Sequence, residues 1–243
     1  MPHAYDHFKL DHAKKFIPEW WKSLPRELSE IDNMHPENLG KVQPGFTMKK
    51  CSGFISNYSE GIILPLWSDI GFSVNRDDGS PPQLRPQFAG VPTQISEHPK
   101  EQRGGIWSTY QHVKIISPWF IRCNRDVQWT WNMPMWNFDE LDGIQVLPAI
   151  IEFKYQLASH INLMIRRHPN ENRHIMLEAG QPLVHLVPLA DNRNIEIRSH
   201  LLDTAEFIRY TQRGDTASFK FRDIYRSNKK YNSCPHLDSI IKK

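Results

Sequence analysis

The sequence predicts a mainly β protein, built as a two-sheet sandwich or a jelly roll. The chain has 243 residues, of which 39% are hydrophobic and 23% charged, and this composition is typical of a packed globular protein. Its 18 prolines are spread along the whole chain and outnumber its 12 glycines. Because proline interrupts helices and is tolerated at turns and strand ends, this distribution favours short extended segments over long helices.

The distribution of polar and apolar residues predicts three regions: an N-terminal arm at 1–45, a β domain at 46–190 and a polar, basic C-terminal helix and tail at 191–243. The arm is polar except for the segment FIPEWWKSLP at 16–25. Its aromatic residues predict an anchor that packs on the body of the domain or on another subunit. The arm is therefore the predicted contact for a protein partner or for a second copy of the chain.

A short helix is predicted near residues 47–60. Thr47 can cap its first turn, and Gly61 stands where a glycine commonly ends a helix. The apolar residues between them follow helical spacing: Met48, Cys51, Phe54, Ile55 and Tyr58.

The remaining elements are predicted to be strands joined by turns. Apolar runs and period-two alternation place them at residues 62–67, 69–74, 113–122, 127–133, 143–148, 150–153, 160–167, 174–178 and 183–189. Residues 75–82 are expected to form a loop, followed by a loose segment to about residue 94.

Two hairpins are predicted among these strands. The clearest joins 113–122 to 127–133 across the turn CNRD, and another forms around Gly180-Gln181-Pro182 with a positive φ at Gly180. After Ala190 the pattern becomes polar and helical, with a buried stripe at Leu201, Leu202, Ala205, Phe207 and Ile208.

Five motifs occur in order along nearly the whole chain: FIPEWWKSLP at 16–25, KKC at 49–51 leading to GIILPL at 61–66, EHPKEQ at 97–102, SPWFI at 117–121 and GQPLVHLVPL at 180–189. With a basic aromatic ending at 219–231, this set resembles a family of uncharacterised proteins encoded mainly by tailed phages. The resemblance implies a phage or phage-derived origin and a compact β-rich fold, and it implies no activity. His185 departs from it, because an uncharged polar residue is expected there.

The first candidate site is the polar cluster Glu97, His98 and Gln102, which is expected in a loop between strands. Adjacent residues of an extended chain point to opposite faces, so Glu97 and His98 share a site only if a turn intervenes at Pro99. In the alternative interpretation, this is a structural turn in which His98 caps backbone groups.

The second candidate site is a group of tryptophans that could stack on a sugar or a base. Trp119, Trp129 and Trp131 are its main members, with Trp107 and Trp136 nearby in sequence. Trp129 and Trp131 share one strand face, as a stacking platform requires. The core face of a sheet requires the same alternation, so core packing is the alternative.

An enzyme is the alternative to a binding protein, and its best form is a metal-dependent, oxygenase-like double-stranded β-helix. His160, His174 and His185 fall in predicted strands of one sheet region. The usual His-x-Asp or His-x-His pair is on none of these strands, and His236-x-Asp238 lies in the tail. No metal ligands are therefore predicted, and the sequence identifies no cofactor. It contains no G-x-S-x-G, P-loop or G-x-G-x-x-G motif.

Charge and hydropathy limit the possible partners. The net charge is +3, and residues 193–243 hold eleven Lys and Arg against six Asp and Glu, so contact between this tail and nucleic acid is a weak possibility. No apolar run is long enough for a membrane span, and no signal peptide is evident. Cys51, Cys123 and Cys234 are expected to be free thiols. The sequence thus predicts a phage-encoded binding protein, a virion component or an accessory factor, in the host cytoplasm or the virion.

Overall fold

The computed structural model describes residues 2–28, 30, 45–77, 84–89, 95–98, 109–137, 143–154 and 158–206. The helices are α1 (Pro2–His7), α2 (Glu19–Ser23) and α3 (Ser52–Ser59), with 3-10 turns at Ala13–Phe16 and Met48–Lys50. The strands are β1 (Asp11–His12), β2 (Ile62–Pro65), β3 (Asp69–Val74), β4 (Leu84–Ala89), β5 (Ile95–Glu97), β6 (Tyr110–Phe120), β7 (Trp129–Asn132), β8 (Ile144–Val146), β9 (Ala149–Ile151), β10 (Ala158–Arg166), β11 (Arg173–Leu177) and β12 (Pro182–Pro188). This confirms the mainly β class.

The strands form three antiparallel sheets in a sandwich-like arrangement. Their orders are β1-β2-β12-β7-β9, β5-β6-β10-β8 and β11-β3-β4. All three contribute to one apolar core, which includes Leu64 and Leu186 from the first sheet, Ile115 from the second and Phe72 from the third. In β6 buried residues alternate with half-buried ones from Gln111 to Ser117, as the pleat of a strand requires.

The predicted hairpin around Gly180 is wrong, because β11 and β12 belong to different sheets. β11 pairs with β3, whereas β12 pairs with β2. The connections between the strands of these two pairs are hydrogen-bonded to each other: Leu66 N donates to Gln181 O at 2.9 Å, and Gly180 N donates to Leu66 O at 2.7 Å. The chain therefore turns a corner between two sheets here. The predicted positive φ at Gly180 is confirmed, at +89°.

The predicted hairpin of 113–122 with 127–133 is also wrong. β6 pairs with β10, from Ala158↔Phe120 to Arg166↔Tyr110, and with β5 on its other side. β7 lies in another sheet between β12 and β9. β6 has eleven residues and pairs with the nine residues of β10, which is similar in length, whereas β7 has only four.

The strands β4 and β5 were not predicted, because the sequence of β4 was interpreted as a loose segment and Glu97 in β5 was expected to lie in a loop. Both lie at sheet edges, where one side of the strand has no ladder partner within its sheet. Pro86 stands opposite Phe72 in β4, a position that an edge strand tolerates because proline lacks a backbone donor.

The helix near 47–60 is confirmed in outline as a 3-10 turn followed by α3. Thr47 Oγ1 accepts a hydrogen bond from Lys49 N at 3.3 Å. Gly61 has a φ of +82°, and a Cβ there would lie 2.2 Å from Leu186 O, so only glycine fits this close approach. Of the five apolar residues at helical spacing, Tyr58 alone is buried.

The aromatic anchor of the arm packs on the body, in a second core cluster. Trp21 is 6% exposed and Ala13 is fully buried, in contact with a group formed by Tyr58, Ile63 and Trp136. Ala13 N donates to Gly61 O at 3.1 Å, and β1 adds a strand to β2. Docking on the body is thus confirmed for this segment.

The C-terminal region is described only to residue 206. Residues 192–203 have no regular secondary structure and 204–206 are helical, so the predicted helix does not begin directly after Ala190. Phe207, Ile208 and the basic tail lie outside the described residues. In the described part of the chain, no helix is long and apolar enough to cross a bilayer.

Candidate functional site

Glu97 and His98 lie at the edge strand β5 and its end, not in a loop. The carboxylate of Glu97 accepts a hydrogen bond from the Gln111 side chain. The His98 ring stacks on the His112 ring, with 4.4 Å between centroids and 20° between planes, and His98 N donates to His112 O at 3.1 Å. The ring of His98 therefore packs on a neighbouring strand.

The strand geometry separates the two residues. Gln111, the partner of Glu97, is fully buried on the core face of β6, whereas His112 lies on the opposite, half-buried face. Glu97 and His98 thus occupy different faces of the sheet, as the alternation of an extended chain requires. Gln102, the third member of the predicted cluster, lies outside the described residues.

His98 belongs instead to a polar row on the outer face of the sheet. His112 continues the row, because its Nε2 lies 3.1 Å from Asn162 Oδ1 on β10. Side chains from three adjacent strands therefore meet, and imidazole and carboxamide groups can both donate and accept hydrogen bonds. A binding role for Glu97 or His98 stays a prediction.

The tryptophans mostly lie in the core. Trp129 is 8% exposed, Trp131 2% and Trp136 1%, and Trp129 meets Phe153 edge to face at 6.0 Å. Trp129 and Trp131 share one face, but it is the core face, so neither indole is available for stacking on a ligand. Trp119 is half-buried at the end of β6. Trp107 lies outside the described residues.

The three histidines considered as metal ligands do not share a sheet. His160 lies in β10, His174 in β11 and His185 in β12, and these strands belong to three different sheets. The expectation that they line one sheet region is wrong. β10 pairs with β6 and β8, and the corner at Gly180 separates β11 from β12. Among the described residues no three His, Cys, Asp or Glu side chains are grouped to hold a metal ion.

His185 has a structural environment in the second core cluster. Its Nε2 lies 2.8 Å from Glu60 O, and its ring meets the Trp136 ring edge to face at 4.8 Å. Burial lowers the pKa of His185 below its ordinary value, and the hydrogen bond to Glu60 O opposes this only in part. The neutral imidazole is the form that fits this position.

The arm, the segment around Thr47, α3 and the turn at 135–137 expose large apolar side chains that were not predicted to lie at the surface, and we call this set the arm surface. Six large apolar side chains belong to it: Trp20 (37% exposed), Phe46 (67%), Met48 (40%), Phe54 (42%), Ile55 (46%) and Met135 (63%). They come from the aromatic anchor, the segment around Thr47, α3 and the turn at 135–137.

Buried aromatic rings support two members of the arm surface, Trp20 and Phe54. The Tyr58 ring lies at its centre, with centroids 4.2 Å from Trp21 and 4.7 Å from Trp136. Trp20 and Phe54 each lie 6.4 Å from the same ring, and Trp20 Nε1 donates to Trp136 O at 3.0 Å. Trp20 and Phe54 are therefore presented from a packed aromatic base. Helical spacing alone does not reveal this, because it is the same for a buried stripe and an exposed one.

No protein-family model matches this chain, and no match is found among curated proteins.

Proposed function

We propose that the protein is a phage-encoded binding protein without catalysis, which acts through the arm surface as a virion component or as an accessory factor in the host cytoplasm. The five ordered sequence motifs support the phage origin. The arm surface supports the binding role and is the observation that carries it. Large exposed apolar patches rimmed by polar residues typically mark contacts with other proteins.

The occupant that fits the arm surface best is a second copy of the chain. The rim is of mixed sign, with the ion pairs Lys22–Glu19 (2.5 Å) and Lys50–Glu27 (3.2 Å). A two-fold interface places the same patch on both partners, so a rim with both charges next to each other is complementary to itself. With a net charge of only +3, the whole chain also offers little repulsion to its own association.

The geometry of the apolar groups favours a stable contact. Phe46 is held by backbone pairing with Glu27, and Lys50 Nζ lies 3.7 Å from the centroid of its ring. Trp20 is fixed by its hydrogen bond to Trp136 O. Side chains that are already positioned lose less conformational entropy on binding, and aromatic residues are common among those that dominate interface energies.

The test is the concentration dependence of the mass in solution. Sedimentation velocity or light scattering on the full chain should show a species of about twice the 28.5 kDa of one chain as the concentration rises. Ile55→Asp should weaken the association by at least about tenfold, because it places a charge in the apolar patch. Ile150→Asp is the matched control, since Ile150 is 63% exposed on β9 and lies outside the arm surface. A chain that stays monomeric at about 100 μM, or equal losses in both variants, would contradict self-association through this surface.

No observation on the described residues favours the oxygenase-like alternative. The three strand histidines are distributed over three sheets, as described above. Metal analysis of the purified full chain tests that alternative directly: stoichiometric iron, manganese or zinc would favour it over the binding role.

A further inference from the structure

A polar cleft of about 470 Å³ lies beside the arm, and we call it the arm cleft. Three separate segments line it: the start of the arm with His12 and Lys14, the end of α3 with Glu60, and the segment after β12 with Arg193, Asn194 and Ile195. It is distinct from the arm surface, because none of the six exposed apolar residues of that surface lines it.

Hydrogen bonds hold the walls of the arm cleft in place. Ala13, between His12 and Lys14, is fully buried, and its N donates to Gly61 O at 3.1 Å. Arg193 Nη1 pairs with the carboxylate of Glu60, and Arg193 Nε donates to Ala190 O at 3.3 Å. The guanidinium group is thus oriented before any ligand arrives, and such preorganisation lowers the entropic cost of binding.

The charges of the arm cleft favour an anion. Arg193 neutralises Glu60, the one carboxylate among the described lining residues, and the ammonium of Lys14 remains. Lys14 has no acceptor among the described residues, since the carboxylate of nearby Asp11 is engaged by Lys15 at 2.6 Å. Counting Lys, Arg, Asp and Glu alone, the lining therefore has one net positive charge, together with donors on Arg193 and Asn194.

The shape and chemistry of the lining narrow the class of anion. Ile195 is the only apolar side chain among the described lining residues, and no Phe, Tyr or Trp ring is among them, so the arm cleft offers no stacking platform for a nucleobase. Guanidinium and ammonium groups with nearby amide donors are typical of phosphate recognition. We propose that the arm cleft binds a phosphate group, either free phosphate or the phosphate of a small sugar phosphate.

The experiment is equilibrium dialysis of the full chain with radiolabelled inorganic phosphate at constant ionic strength. Saturable binding at one site per chain is expected. Lys14→Ala and Arg193→Gln should each weaken it by at least about tenfold, which corresponds to about 1.4 kcal/mol. Lys9→Ala is the matched control: it removes the same charge from the same arm, but Lys9 lies outside the arm cleft and contacts the Tyr5 ring instead. It should change the affinity by less than about twofold.

Competition separates the two sources of phosphate. If glucose 6-phosphate displaces the label at a concentration about tenfold lower than unlabelled phosphate needs, the site is assigned to a sugar phosphate. If both compounds displace the label at the same concentration, the site is assigned to free phosphate. The proposal is overturned if saturable binding is absent at phosphate concentrations up to about 10 mM. It is also overturned if Lys14→Ala and Lys9→Ala weaken binding equally, because that result would indicate general electrostatic attraction. An unchanged melting temperature of Arg193→Gln shows that its loss of binding is not a loss of folding. The proposal does not depend on self-association, so the failure of one leaves the other standing.

Discussion

At Gly180 the backbone has a φ of +89°, and a Cβ there would lie 3.3 Å from the ring of Phe8. A β-branched side chain is strained in this conformation, so Gly180→Val should lower the free energy of unfolding by about 1 to 3 kcal/mol. Urea unfolding of the full chain measures this. Gly53→Val in α3 is the control, because the nearest atom to a Cβ at Gly53 is Cys51 Sγ at 3.8 Å. Equal stability of wild type and Gly180→Val would show that the corner between the sheets relaxes without cost.

His185 should make the stability of the fold depend on pH. Because burial lowers its pKa in the folded state below the ordinary value of 6.5, the unfolded chain takes up the proton first as the pH falls. The free energy of unfolding should therefore be highest above about pH 6.5 and should decrease below it, by at most about 1.4 kcal/mol per pH unit from this group.

The variant His185→Gln tests whether His185 causes this pH dependence of the free energy of unfolding, since a carboxamide can donate to Glu60 O but does not titrate. Urea unfolding between about pH 5 and pH 8 should show a shallower dependence in this variant than in the wild type. His174→Gln, the same substitution at an exposed strand histidine, is the control for the substitution itself. If the pH dependence of the free energy of unfolding is the same in His185→Gln as in the wild type, other titrating groups cause it.

At the scale of elements, the arm is an integral part of the fold. Trp21→Ala should lower the free energy of unfolding by about 3 to 5 kcal/mol, because it leaves a cavity beside Tyr58 and Trp136. Deletion of residues 1–25 should cost at least about 3 to 6 kcal/mol, since it also removes β1 and Ala13. Thermal and urea unfolding measure both.

The neighbouring residue supplies the control for this prediction. Trp20 is 37% exposed against 6% for Trp21, so Trp20→Ala should cost clearly less than Trp21→Ala. A truncated chain as stable as the full one would contradict an integral role for the arm.

The elements themselves were largely predictable from local pattern. β2, β3 and β12 have long apolar runs or clear alternation, and the helix near 47–60 has a cap and a terminal glycine. β4 and β5 were missed, because edge strands need no apolar residues on both faces and therefore show a weak pattern. The C-terminal helix was expected to begin after Ala190, but residues 192–203 have no regular secondary structure, because a helical pattern does not specify a helix without a surface to pack on.

At the scale of the whole molecule, the pairing of strands was not predictable. The alternation of β6 and β7 is equally good for a hairpin and for strands in separate sheets, and the structure selects separate sheets. The corner at Gly180 has the same local signature as a hairpin turn. It separates His174 from His185, and the pairing of β10 with β6 places His160 in a third sheet, so a metal site could not be judged from the positions of these histidines in the sequence.

The candidate sites were also predictable only in their local features. Period two correctly implied that Glu97 and His98 point to opposite faces, and it placed Trp129 and Trp131 on one face. The alternation does not indicate which face of a strand meets the core, because the core face is set by the sheet that packs against that strand. The arm surface depends on α3, and the arm cleft joins residues about 180 positions apart, so neither has a local signature.

Local sequence pattern was sufficient for the class of the fold, most strand positions, the helix near 47–60, the aromatic anchor and the positive φ at Gly180, because each depends on the backbone preferences and polarity of neighbouring residues. The helices α1 and α2 were not predicted. The folded chain alone shows which strands pair, which apolar residues stay exposed and that Lys14 and Arg193 line the same cleft. These depend on contacts between distant segments, whose free energy comes from the burial of shared surface and leaves no periodic trace along the chain.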